Sequence, residues 1–203
     1  FGYDGTGIIQ LYGGASATLE VGKVYTVSGT IDWYFGIWEI TKVTAVEQVG
    51  SLPKEAPKAE ITKVSEKINQ LVTAGDHLAA SGSVADGNFE PIYATVTGKV
   101  MYDTKTTGNY NTYIVDTDFD FANWAYGTAE KPAQGLLVYY NTLDFAYLKS
   151  FAGFEVTMDV VIYTYRSNNL AFAVYYVGGP NGIQADLTDA EAVSIAKTAL
   201  NVQ

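Results

Sequence analysis

From position 23 to 32 the chain alternates, with Val24, Thr26, Ser28 and Thr30 on one side of an extended backbone and Tyr25, Val27, Gly29 and Ile31 on the other. After a turn at Gly36, Trp38, Ile40, Lys42 and Thr44 oppose Glu39, Thr41, Val43 and Ala45, which predicts a second strand paired with the first. A shorter strand at 8–12 stands between turn signals at Asp4-Gly5-Thr6-Gly7 and Gly13-Gly14. Further on, strands are expected at 93–102, 110–116, 136–140, 156–165 and 170–177, with a helical piece at 143–151. Helical spacing recurs at Val64, Ile68, Leu71 and Val72 behind a Thr62 cap. It returns at Ala192, Ile195, Ala196, Ala199 and Leu200 behind a Thr188–Glu191 capping box.

The strand pattern occurs twice. Tyr34 and Tyr165 are 131 positions apart, Gly50 and Gly178 128, and Thr62 and Thr188 126. Near-constant separation implies duplication of one five-stranded unit, the first copy lacking its first strand and most of its second. The expected fold is mainly β: two barrels in tandem, the first incomplete, each followed by a short amphipathic helix. Its divisions are an incomplete barrel at 1–50, a connector helix and linker at 51–89, a complete barrel at 90–179 and a C-terminal connector helix at 180–203. A barrel short of strands exposes backbone edges, which a longer chain or a neighbouring subunit would complete.

Charge narrows the partners. The 22 acidic residues oppose 12 basic ones, and Arg166 is the only arginine. Phosphate-backbone binding draws on lysine and arginine releasing counterions, so this balance ranks nucleic acid below carbohydrate or protein. There is no cysteine, which removes disulfides and thiolate metal sites. No stretch has the unbroken apolar length of a membrane span, and Phe1 begins no signal peptide, as expected of a mature or excised segment. Few charges with abundant Tyr, Thr, Gly and Asn suggest an extracellular or cell-surface protein.

Three stretches carry a likeness to known proteins: Asp4-Gly5-Thr6-Gly7-Ile8-Ile9-Gln10-Leu11-Tyr12, Val21-Gly22-Lys23-Val24-Tyr25-Thr26-Val27-Ser28-Gly29 and Trp33-Tyr34-Phe35-Gly36-Ile37-Trp38-Glu39-Ile40. They resemble the OB-fold modules of secreted bacterial nucleases, lipoproteins and other surface proteins. In 90–179 the likeness lies in strand order more than in motif, because an insertion at 118–135 replaces a tight glycine turn. The resemblance implies five-stranded Greek-key barrels that bind ligand on the face of strands two and three. Carried over, it implies a ligand surface of Tyr110, Tyr113, Trp124, Tyr126, Tyr139 and Tyr140, flanked by 105–109 and 166–169. Trp33, Tyr34, Phe35 and Trp38 are the counterparts in the first copy.

Aromatic residues on strands also build cores and cross-strand pairs, so each of these has a structural reading beside the binding one. Asp116, Asp118 and Asp120 would share one face of a strand, as hard-cation ligands do, and calcium is the one cofactor given a place. An EF-hand loop is excluded, since Phe121 and Gly127 stand where glycine and glutamate are required. His77 is the sole histidine, with no serine or aspartate partner apparent, and nothing singles out a catalytic carboxylate pair. The expectation is therefore no enzyme but a binding or spacer module contacting carbohydrate or protein. A self-assembling subunit of a filament or surface layer is the alternative, and a nucleic-acid-binding module attached to a secreted nuclease ranks lower.

Overall fold

The structure is a computed structural model that describes residues 1–34, 36–79, 89–103, 111–128, 131–138, 145–178 and 182–200. Within these residues the chain is mainly β and contains one closed five-stranded barrel.

The first sheet holds β1 (Gly2–Tyr3), β2 (Ile8–Tyr12), β3 (Tyr25–Tyr34) and β4 (Ile37–Glu47), in the order β1-β2-β4-β3. β2 runs parallel to β4, β3 antiparallel to it, and a short 3₁₀ turn at Gly14–Thr18 follows β2. Alternation sets the two faces. Trp33 lies across from Trp38, and Ile31 across from Ile40, which is itself beside Leu11, so one face is apolar. Asp32 lies across from Glu39, which is beside Gln10, so the other is polar there. A bulge sets Gly29 opposite Lys42 and Val43; Lys42 takes a φ of 52°, and a side chain at Gly29 would strike the Thr41 carbonyl.

The chain then passes through β5 (Ala59–Ile61), α1 (Val64–Ala74) and α2 (Asp76–Ala79) to the barrel. Its strands are β6 (Ile92–Tyr102), β7 (Thr112–Val115), β8 (Leu136–Val138), β9 (Glu155–Arg166) and β10 (Ala171–Tyr176), with α3 (Phe145–Ser150) between β8 and β9. The order is β6-β7-β8-β10-β9, and β9 returns to β6 over a register running from Ile92↔Ile162 to Lys99↔Glu155. β8 and β10 are parallel, and β5 adds alongside β6. β6 must bend to serve both β9 and β7, and Gly98 lets it: a Cβ there would sit 2.5 Å from the Val115 carbonyl oxygen and 2.6 Å from Ile114.

Val96, Ile114, Leu136, Met158, Ile162, Phe172 and Val174 fill the barrel and are almost fully buried. Val64, Ile68 and Leu71 of α1 join that core, as does Ile195 of α4 (Asp189–Leu200). Thr188 and Glu191 exchange bonds at the start of α4, whereas α1 begins two residues after Thr62 with Lys63 as its cap. The amide of Ser65 is taken from outside the helix, by Asp116 at 3.1 Å. The sheet touches the barrel through Ile37, which enters the barrel core, and through Phe1, whose ring lies 5.5 Å from that of Tyr175.

Candidate functional site

Between the sheet and the barrel lies a cleft of about 610 Å³. Tyr3, Ile8, Ile9 and Trp38 line it from the sheet, Phe89, Glu90, Pro91 and Tyr93 from the barrel, and Lys58 from the connector. Trp38 reaches it because strand alternation turns it away from the neighbouring Ile37 and Glu39, both buried; it remains 38% exposed.

The polar lining is fixed by Asp159. Its oxygens accept from Thr95 at 2.7 Å, from the Tyr93 hydroxyl at 3.1 Å and from Lys58 Nζ at 3.3 Å. The register across β6 and β9 puts Thr95 opposite Asp159, so two of these partners come from one strand. Burial works to raise the Asp159 carboxyl, but the bonds from Thr95, Lys58 and Tyr93 together outweigh it and hold it below the ordinary value. The bond to Asp159 raises Lys58, and burial with that same carboxylate raises Tyr93. At neutral pH the cluster is a carboxylate, an ammonium and a protonated phenol, with the ammonium 5.6 Å from the Tyr93 ring centre. Of this cluster Lys58 and Tyr93 line the cleft, and Asp159 holds both in place.

The aromatic residues singled out in the sequence go to different places. Trp38 lines the cleft. Trp33 sits across from it, partly buried, with its Nε1 buried and without a partner among the described residues. The Tyr34 hydroxyl accepts from Arg166 Nη1 at 3.2 Å, tying the β3–β4 hairpin to the end of β9. The open aromatic face expected on the barrel is a covered one. Tyr113 is 3% exposed, and Trp124 packs on it with ring centres 4.7 Å apart. Phe119 and Ala133 complete this small outer core with Met101, Val115, Leu137 and Ala171, so the insertion shields the face where ligand was expected. Burial pushes the Tyr113 phenol up to about 12. Tyr126, 48% exposed, stands edge-on to Trp124 and donates to Asp103 at 2.6 Å. Tyr110, Tyr139, Tyr140 and Phe35 lie outside the described residues.

The three aspartates do not converge on a cation. Asp116 accepts from the Ser65 amide and hydroxyl. Asp118 pairs with Lys63 at 3.0 Å, and Asp120 accepts from the Ala122 amide at 3.0 Å. They miss a shared face because β7 ends at Val115 and the chain turns immediately. Among the described residues no group of three or more His, Asp or Glu is placed to hold a metal. His77 packs edge-on against Tyr165.

Sequence reasoning missed Lys58, Tyr93 and Asp159. Lys58 and Asp159 are 101 residues apart, and no local periodicity reports such a pairing. Among known proteins, no family model matches the chain, and neither a curated protein nor a solved structure was found to match it.

Proposed function

We propose that this chain is a non-catalytic carbohydrate-binding module of an extracellular bacterial surface protein, built from two OB-type barrels of which the first is unfinished. The cleft between sheet and barrel carries the reading: aromatic rings of Trp38, Tyr3 and Tyr93 beside the Lys58 ammonium, which Asp159 holds from behind the lining, suit a sugar ring, which needs an apolar platform and directional polar contacts. The OB reading is supported by the strand order, with the third and fifth strands parallel and a helix between the third and fourth. In those terms β2, β3 and β4 correspond to strands three, four and five, and β1 to the end of strand two. The excess of 22 acidic over 12 basic residues disfavours nucleic acid.

A glycan array followed by calorimetry tests this. Trp38→Ala is expected to weaken binding about tenfold or more, by loss of a stacking wall. Trp124→Ala, which alters the covered face, leaves it unchanged. Absence of any glycan ligand, or indifference to Trp38→Ala, would falsify the reading.

A further inference from the structure

We infer that the polar face of the first sheet is a calcium site, with the Asp32 and Glu39 carboxylates and the Gln10 amide oxygen as its protein ligands. The register sets the three side by side on adjacent strands: Asp32 of β3 lies across from Glu39 of β4, and Glu39 beside Gln10 of β2. Alternation turns all three to one side of the sheet, away from the face of Trp33 and Trp38.

Among the described residues nothing balances this row. Asp32 and Glu39 are like charges directly opposite each other, an arrangement that costs stability in a sheet, and neither enters an ion pair. Glu39 is nonetheless only 5% exposed, and burial with the Asp32 charge raises its carboxyl. Gln10, 8% exposed, adds a second mismatch: its Oε1 is buried and accepts no hydrogen bond. A cation satisfies both at once, the carbonyl oxygen that has no donor and the carboxylate that has no counter-charge. The barrel treats its acids differently. Asp159 takes three donors, and Glu155 lies across from Lys99.

Spacing and charge select calcium. Adjacent strands lie about 4.8 Å apart, so an ion above Glu39 is within a side-chain length of Asp32 on one side and Gln10 on the other, at Ca–O distances of about 2.3–2.6 Å. Two carboxylates match a dication, and ligands strung along a line suit the large, irregular shell of calcium better than the compact octahedron of magnesium. Asp32 Oδ1 accepts from the Trp33 amide at 2.8 Å, which orients the carboxylate and leaves Oδ2 for the ion. Ile37, two residues before Glu39 on the same face, enters the barrel core, so that end is covered, whereas Asp32 is exposed and gives the ion its way in. Water completes the shell, and so few protein ligands imply a Kd of about 0.1–1 mM.

Calorimetric titration of the intact chain with calcium chloride at pH 7 tests this. One site is expected, and 10 mM calcium should raise the melting temperature by about 3–8 °C, more than magnesium chloride or sodium chloride of equal ionic strength. Terbium bound there should be sensitised by Trp33 and Trp38, the chain neighbours of Asp32 and Glu39, and be displaced by calcium. Glu39→Gln and Gln10→Leu should each weaken calcium binding at least about tenfold, whereas Asp118→Asn leaves it unchanged. The first removes an unmatched buried charge and the second an unmatched buried amide, so without calcium neither is expected to melt below the parent, which separates lost binding from lost folding. The inference is overturned if calcium shifts the melt no more than sodium chloride does, or if magnesium matches it. It is equally overturned if Glu39→Gln or Gln10→Leu binds calcium as well as the parent, or if Asp118→Asn abolishes binding.

Discussion

One chain carries two solutions to the same problem. The barrel joins its first strand to its fourth and turns every inward residue into core; Phe172, Ile162 and Leu136 are fully buried. The sheet has the same three-strand kernel, one parallel and one antiparallel pairing around a central strand, yet leaves Ile31 and Trp38 partly in water. What separates them is closure: among the described residues no strand lies across β3, so alternation still produces an apolar face but leaves it partly open. Equivalent sequence patterns therefore make unequal contributions to stability.

The largest test of that difference is a matched pair of truncations. Phe172→Ala should destabilise by about 3–5 kcal/mol in denaturant titration, whereas Ile31→Ala should cost less than about 1 kcal/mol. Similar losses would mean that the sheet's apolar face is covered in solution. Next are the two kink glycines. Gly98→Ala forces a methyl against the Val115 carbonyl inside a closed ring of strands, and about 2 kcal/mol of destabilisation is expected. Gly29→Ala meets the Thr41 carbonyl in an open sheet that can splay, so a smaller loss in thermal melts is expected. Trp124→Ala uncovers Tyr113 and should remove about 2 kcal/mol while shifting intrinsic fluorescence.

The smallest effects concern pH, and the two regions should respond with opposite sign. The Asp159 carboxyl is held below its ordinary value, so its stabilising contribution is complete above that value and is lost as pH falls through the folded one. Asp159→Asn should therefore flatten the acid limb of the stability profile. The Glu39 carboxyl is held above its ordinary value, so stability declines as pH rises from that value through the folded one. Glu39→Gln should remove that decline and slightly stabilise the protein at neutral pH. Melting temperatures measured from pH 3 to 7 would resolve both, and a common sign would contradict the contrast between a carboxylate held by three hydrogen-bond donors and one buried beside another acid.

Sequence by itself determined the strands. Period-two alternation at 23–32 survives as β3, and the strand expected at 93–102 as β6, because two-sidedness is a local property of extended backbone. Spacing likewise determined the bonds between Thr188 and Glu191, three residues apart in one turn. Only the tertiary structure decided what lies over each face. Tyr113 and Trp124 became core because the insertion folds back on β7 and β8, and Trp38 came to line a cleft because the connector and barrel meet it there. The same holds for Asp116, drawn to the start of α1, and for Asp159, which gathers Thr95, Tyr93 and Lys58 from distant parts of the chain. Periodicity records that a residue has two possible sides; which side meets water depends on segments far away along the chain, whose approach is set by packing and closure.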